Sequence, residues 1–142
     1  GKGRPGIKNI LVPTDFSKKE DIGREFAWKV AKGLGSSLTF LYVLELHGHD
    51  SRMVDEMFKS VLDKFKKKAT LDGQGLAVNQ DVIRAVNAAH GIVEYGAERD
   101  CDLIVMESCI GGLGRLLLGS TTEKVISYSQ LPVFAIPPKL CR

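Results

Sequence analysis

The sequence has no long apolar run, little net charge, few cysteines and few aromatic residues. Each shortage removes a class of protein. No stretch reaches the ~18 consecutive apolar residues that span a bilayer, so no membrane helix is expected. The opening residues, Gly1 to Lys8, are basic and poor in apolar side chains, which does not fit a secretory signal. The net charge of +3 comes from 20 basic and 17 acidic residues, and the one dense basic run is Lys64, Lys66, Lys67 and Lys68. That run reads as the solvated face of a helix. Neutralising phosphates takes a clustered basic surface, so nucleic acid is not an expected partner. Three cysteines, Cys101, Cys109 and Cys141, lack the Cys-x-x-Cys spacing of a redox or metal motif. An odd count without a framework suits reduced thiols in a cytoplasm. Cys101 reads as a small apolar residue at a strand entrance. Cys109 falls in a loop, where an inert or a reactive thiol fits.

What is present suits one compact unit. A chain of 142 residues buries enough surface for a core without disulfides or a metal. Residues 1–7 read as a basic tail and 8–142 as a single domain. Ile10-Leu11-Val12, ending at Pro13, is a short buried strand. Ser17 to Glu20 fits a capping box, and Phe26, Ala27, Val30, Ala31 and Leu34 follow at helical spacing. Leu38 to Leu44 is a second strand, rich in aromatic and branched residues. Met53, Val54, Met57, Phe58, Val61, Leu62, Phe65 and Ala69 form the stripe of a long amphipathic helix ending near Asp72-Gly73. Val78 to Val86 is a third strand, and Asn87 caps a helix through Ala97. Asp102 to Met106 is a fourth strand, and residues 107–118 form a glycine-bearing loop. Ser120 to Glu123 is a second capping box, and Pro132 to Ile136 is the last strand. Strands alternating with helices predict an α/β domain: a parallel sheet with helices on both faces. Ligands on such sheets bind beyond the carboxyl ends of strands, where the strand order reverses.

Two places on that edge carry usable chemistry. Asp15 follows the first strand. Ser17 and Glu20 already complete a capping box, which leaves the Asp15 carboxylate to accept hydrogen bonds from an amino group or a ribose hydroxyl. Capping the helix is the simpler role for it. The second place is Gly111-Gly112-Leu113-Gly114-Arg115, leading to Gly119-Ser120-Thr121. Glycines let backbone N–H groups converge on an anion, and a helix start adds positive partial charge. Arg115 can pair with a phosphate, and Ser120 can donate its hydroxyl or cap the helix. The Gly-Lys-Ser/Thr core of a Walker loop is missing. His47-Gly48-His49-Asp50 holds metal-ligating types but no second ligand pair at recognisable spacing. It also stands in the wrong order, after the wrong strand, for the His-x-Gly-His motif of nucleotidyltransferases. His90 reads as a surface residue. No Ser–His–Asp or Cys–His arrangement is present to suggest an enzyme.

Three separated motifs carry a family resemblance. Ile10-Leu-Val-Pro-Thr-Asp-Phe-Ser17 resembles the opening strand and Asp turn of universal stress proteins. Asp102 to Met106, the run Arg115 to Val125 and Leu131-Pro-Val133 resemble the second half of the same family. The likeness covers residues 8–136. It implies a five-stranded open sandwich of the adenine-nucleotide alpha-hydrolase-like kind. It also implies a homodimer paired through the last strand, with protein partners that the sequence does not name. Nucleotide-binding members are similar to this chain at Pro13, Asp15, Val43, Gly119, Ser120 and Thr121. With Thr14, and with Gly112, Gly114 and Arg115 from the loop, these are the candidate contacts for ATP or AMP, with Mg²⁺ accompanying ATP.

One departure weighs on that ligand. The family loop reads Gly-x-x-Gly-x9-Gly-Ser/Thr. Counted back from Gly119, its first two glycines fall on Cys109 and Met106; counted forward from Met106, they fall on Glu107 and Ile110. Each charge-assisted hydrogen bond contributes about 1.5–3 kcal/mol, so losing two turns micromolar binding into millimolar. Glu107 facing the site would also repel phosphate. Gly111, Gly112, Gly114 and Arg115 offer a shifted nest. Two readings stay open: a non-catalytic stress-response dimer holding ATP or AMP, and a nucleotide-free dimer acting through protein contacts.

Overall fold

The computed structural model describes residues 6–14, 20–45, 51–69, 77–107 and 120–136. Five strands alternate with four helices: β1 Asn9–Pro13, α1 Glu20–Leu34, β2 Ser37–Glu45, α2 Ser51–Ala69, β3 Val78–Ala85, α3 Ala88–Glu98, β4 Leu103–Glu107, α4 Ser120–Tyr128 and β5 Val133–Ile136. All pairings are parallel, in the order β3-β2-β1-β4-β5. The chain lays down β1, β2 and β3 outward in one direction. It then returns to the other side of β1 for β4 and β5. The order therefore reverses between β1 and β4.

Parallel strands need both faces covered, and here two separate layers cover them. Ile10, Val12, Leu38, Phe40, Val82, Leu103 and Val105 face α1 and α2, where Ala27, Ala31 and Val61 meet them. Leu11, Leu41, Ile104 and Met106 point the other way, toward Ala89, Ile92 and Tyr95 of α3 and Val125 of α4. The period-two alternation within each strand writes both faces at once. Burying each such aliphatic or aromatic side chain contributes about 1.5–3 kcal/mol.

The helix ends follow from local chemistry. Gly35, at φ +67°, ends α1, and the Ser36 N–H donates back to the Ala31 carbonyl at 2.9 Å. That is the backbone bond of a Schellman motif. α3 ends in the same way, with Asp100 at φ 53° and the Cys101 N–H donating to Gly96 O at 3.0 Å. Asn87 caps α3 as the sequence predicts: its side-chain oxygen accepts from the His90 N–H at 2.8 Å. Most boundaries differ from the sequence reading by one residue, as helix and strand ends do. Leu34, Met53 and Leu62 differ more. Each belongs to a predicted apolar stripe, yet they are 53%, 45% and 43% exposed. Met53 and Leu62 lie at the two margins of the α2 stripe, and Leu34 is the last residue of α1.

Candidate functional site

The reversal of strand order brings the carboxyl ends of β1 and β4 side by side. At the end of β1, Pro13 pairs with Leu41 of β2. Thr14 is buried, and its N–H donates to the Leu41 carbonyl at 2.8 Å. The chain is thus held against the sheet one residue beyond the strand, up to the position before Asp15.

The helices start at the carboxyl ends of the strands, and the amino ends of α3 and α4 are treated differently. Glu45, the last residue of β2, accepts a hydrogen bond from the Ala88 N–H on its Oε2 at 3.1 Å. Together with Asn87, it occupies the positive end of α3 with a carboxylate of the protein's own. α4 is instead tied back to the sheet. Thr122 is buried, and its hydroxyl donates to the Glu107 carbonyl at 3.0 Å. That bond holds the first turn of α4 against the end of β4, beside β1. Glu107 itself is half-buried. The sequence reading ended the second strand at Leu44, one residue short of Glu45, and gave Thr122 no role. Neither bond has a local signature, because each joins elements 15 or more residues apart.

Of the ten predicted contacts, Pro13, Thr14, Val43, Ser120 and Thr121 lie among the described residues at this carboxyl edge. Val43 spends its side chain on packing against α3, where its Cγ1 stands 3.0 Å from the place a Cβ on Gly91 would take. Asp15, Gly112, Gly114, Arg115 and Gly119 lie outside the described residues. So do the segment His47 to Asp50, Cys109 and Cys141.

His90 and Cys101 stand where the sequence reading put them. His90 is exposed and 3.1 Å from Glu94, one helical turn on. Cys101 is buried at the entrance to β4. Burial, with Asp102 and Asp100 nearby, pushes its thiol above the ordinary range, so it stays protonated and unreactive. Among the described residues, no group of three or more His, Cys, Asp or Glu could hold a metal ion. No described helix is long and apolar enough to cross a membrane.

A sequence model of the Universal stress protein family matches residues 6–137 of this chain. A universal stress protein of Methanocaldococcus jannaschii is 29% identical over 141 aligned residues, covering 91% of this chain and 81% of that one. Among solved structures, universal stress protein UspA from Lactobacillus plantarum aligns with a TM-score of 0.72 at 24% identity, covering 94% of this chain and 99% of that one. The universal stress protein from Archaeoglobus fulgidus in complex with dAMP aligns with a TM-score of 0.68 at 20% identity, covering 91% and 97%.

Proposed function

This chain belongs to the universal stress protein family, and from that premise we propose that it is a non-catalytic cytoplasmic dimer that holds ATP or AMP where the strand order reverses. The observation that carries the reading is the contrast between the starts of α3 and α4 at the carboxyl edge. The amino end of α3 is filled by Glu45, while that of α4 is anchored to β4 by Thr122 and directly follows the glycine-bearing loop. An anion arriving at this edge meets one helix start already neutralised and another held beside β1 and β4. The dAMP complex of the Archaeoglobus fulgidus relative supports an adenine nucleotide as that anion. Asp15, immediately after buried Thr14, would receive the amino or ribose groups, and Gly112, Gly114, Arg115, Gly119 and Ser120 the phosphates. Mg²⁺ would accompany ATP. The ligand would act by favouring whichever protein state it binds better.

Calorimetric titration with ATP and Mg²⁺ tests this. We expect micromolar binding, weakened about tenfold or more in Asp15→Ala and in Ser120→Ala, as loss of a charge-assisted hydrogen bond implies. No heat up to millimolar ATP would refute it. That result would favour the second reading, a nucleotide-free dimer, for which Met106 and Cys109 at the family's glycine positions already speak.

Pairing through β5 has its own support. β5 is the last strand of the described sheet, with β4 on its inner side. Phe134 on it is 47% exposed, with its ring 4.7 Å from that of Phe26. Adding the partner's β5 would continue the sheet and cover this ring pair. Phe134→Lys should weaken the dimer about a hundredfold, because a charge would replace buried aromatic surface. Analytical ultracentrifugation checks it; a wild-type protein that stays monomeric at high concentration overturns the pairing.

A further inference from the structure

The sheet face beneath α3 is apolar at one end and polar at the other. Toward the carboxyl edge it presents Leu11, Leu41, Val43 and Ile83. Toward the amino edge the same alternate positions are Asn9, Thr39, Asn79 and Asp81. The change occurs within each strand, so it does not reflect a face turned wholly to solvent. These residues line a hollow of about 450 Å³ together with Tyr95 and Arg99 from the last turn of α3 and the residue after it. It lies at the opposite end of the strands from the edge described above.

The charged groups of the hollow are arranged around Asp81. One of its carboxylate oxygens accepts from the Val82 N–H at 2.9 Å. The other accepts from the Tyr95 hydroxyl at 2.8 Å and lies 3.8 Å from the Arg99 guanidinium. Arg99 also stacks over the Tyr95 ring at 5.2 Å. Burial first, and then the bond to Asp81, pushes the Tyr95 phenol up to about 12, so it remains a donor at any ordinary pH. Asn9 is likewise fixed: its oxygen accepts from Ser37 at 2.6 Å and its amide donates to the Asp100 carbonyl at 3.3 Å. One positive and one negative side chain leave the hollow without net charge. The Asp81 carboxylate disfavours an anion, and the Arg99 guanidinium disfavours a cation. The Asn79 amide offers a donor and an acceptor side by side, which is what a hydroxyl group needs from its surroundings.

We propose that this hollow binds a small neutral polyhydroxylated molecule, of monosaccharide size, through Thr39, Asn79 and Arg99 on the frame set by Asp81, Tyr95 and Asn9. A monosaccharide fits the volume with room for water. It would dock independently of the nucleotide edge, because the whole length of the strands separates the two.

NMR titration of the ¹⁵N-labelled full chain with D-glucose tests the proposal, with acetate as an anionic control. Saturable shifts centred on the Thr39, Asn79 and Arg99 amides are expected, at about millimolar affinity for so small a ligand. Asn79→Ala, an exposed change that leaves the core intact, should weaken binding about tenfold, as should Arg99→Ala. Any response to ATP should be unchanged in both variants, which keeps this test distinct from that of the nucleotide reading. Shifts that do not saturate, or that spread evenly over the surface, would overturn it. So would saturable binding of acetate in place of glucose, or glucose binding that both variants retain.

Discussion

Replacing Phe40 by Ala should lower the free energy of unfolding by about 3–5 kcal/mol, the range for removing a buried aromatic ring. Phe40 is 1% exposed at the middle of β2, among the residues that meet α1 and α2. The truncation removes the transfer free energy of the ring and leaves a cavity that two helices and a sheet cannot close. It also removes the face under Arg24, whose guanidinium lies 4.1 Å from the ring centroid. Arg24 is 8% exposed, so it would lose its aromatic platform in a place that water scarcely reaches. Single domains are stable by about 5–15 kcal/mol, so the variant should be near the limit of folding. Phe40→Leu separates the contributions. It keeps most of the volume and loses the π face, and should cost about 1–2 kcal/mol. Urea unfolding of the three proteins measures both. A loss under about 1.5 kcal/mol for Phe40→Ala would mean that β2 is not packed between the helices as described.

The second large effect is expected at Gly91, where α3 crosses the sheet. A Cβ there would stand 3.0 Å from the Ala85 Cβ, 3.0 Å from Val43 Cγ1 and 3.3 Å from Ile83 Cδ1. The valine and isoleucine tips can turn aside. The Ala85 Cβ cannot, because it is fixed to the backbone of β3. Gly91→Ala therefore sets crowding against the roughly 1 kcal/mol gain of alanine over glycine in a helix, and the two nearly cancel. Gly91→Val adds two more methyl groups with no slack to receive them, and should cost about 3 kcal/mol. Gly96 is the internal control. Its Cβ would meet Leu131 Cδ1, a mobile tip, at 3.1 Å and Leu11 Cδ2 at 3.5 Å. Gly96→Ala should be neutral or slightly stabilising. Thermal melts distinguish these cases, and a Gly91→Val protein that melts with the wild type would refute the close approach. The consequence reaches the candidate site. Lifting α3 would draw Ala88 from Glu45 and Val43 from its packing, so Gly91→Val should also disturb any ligand held at that edge.

The sequence reading located the elements well for a physical reason. Strand alternation and helical spacing report which side of an element is dry, and this protein keeps both sides of its sheet dry over most of their area. Ile10 to Val12 and Leu103 to Met106 are buried runs in sequence and in structure. Asn87 was legible as a cap because its partner, the His90 N–H, is three residues away. Cys101 was legible because a small apolar residue at a strand entrance needs no partner. The α2 stripe was read too widely at Met53 and Leu62, and the α1 stripe too far along at its last residue, Leu34, since periodicity gives a direction and not the extent of the surface that covers it.

By itself, then, the sequence determined the order of strands and helices, the parallel sheet covered on both faces, the motifs that mark the family and the segments on which a ligand site would be built. These follow from local propensity and from patterns that repeat over a few residues. Only the tertiary structure decided that Glu45 closes the start of α3, that Thr122 ties α4 to Glu107, and that Asp81, Tyr95 and Arg99 meet around a polar hollow. Asp81 and Tyr95 are 14 residues apart, Thr122 and Glu107 15, and Glu45 and Ala88 43. Hydrogen bonds of that range depend on how layers stack and which strands are neighbours, and no local pattern in the chain records that.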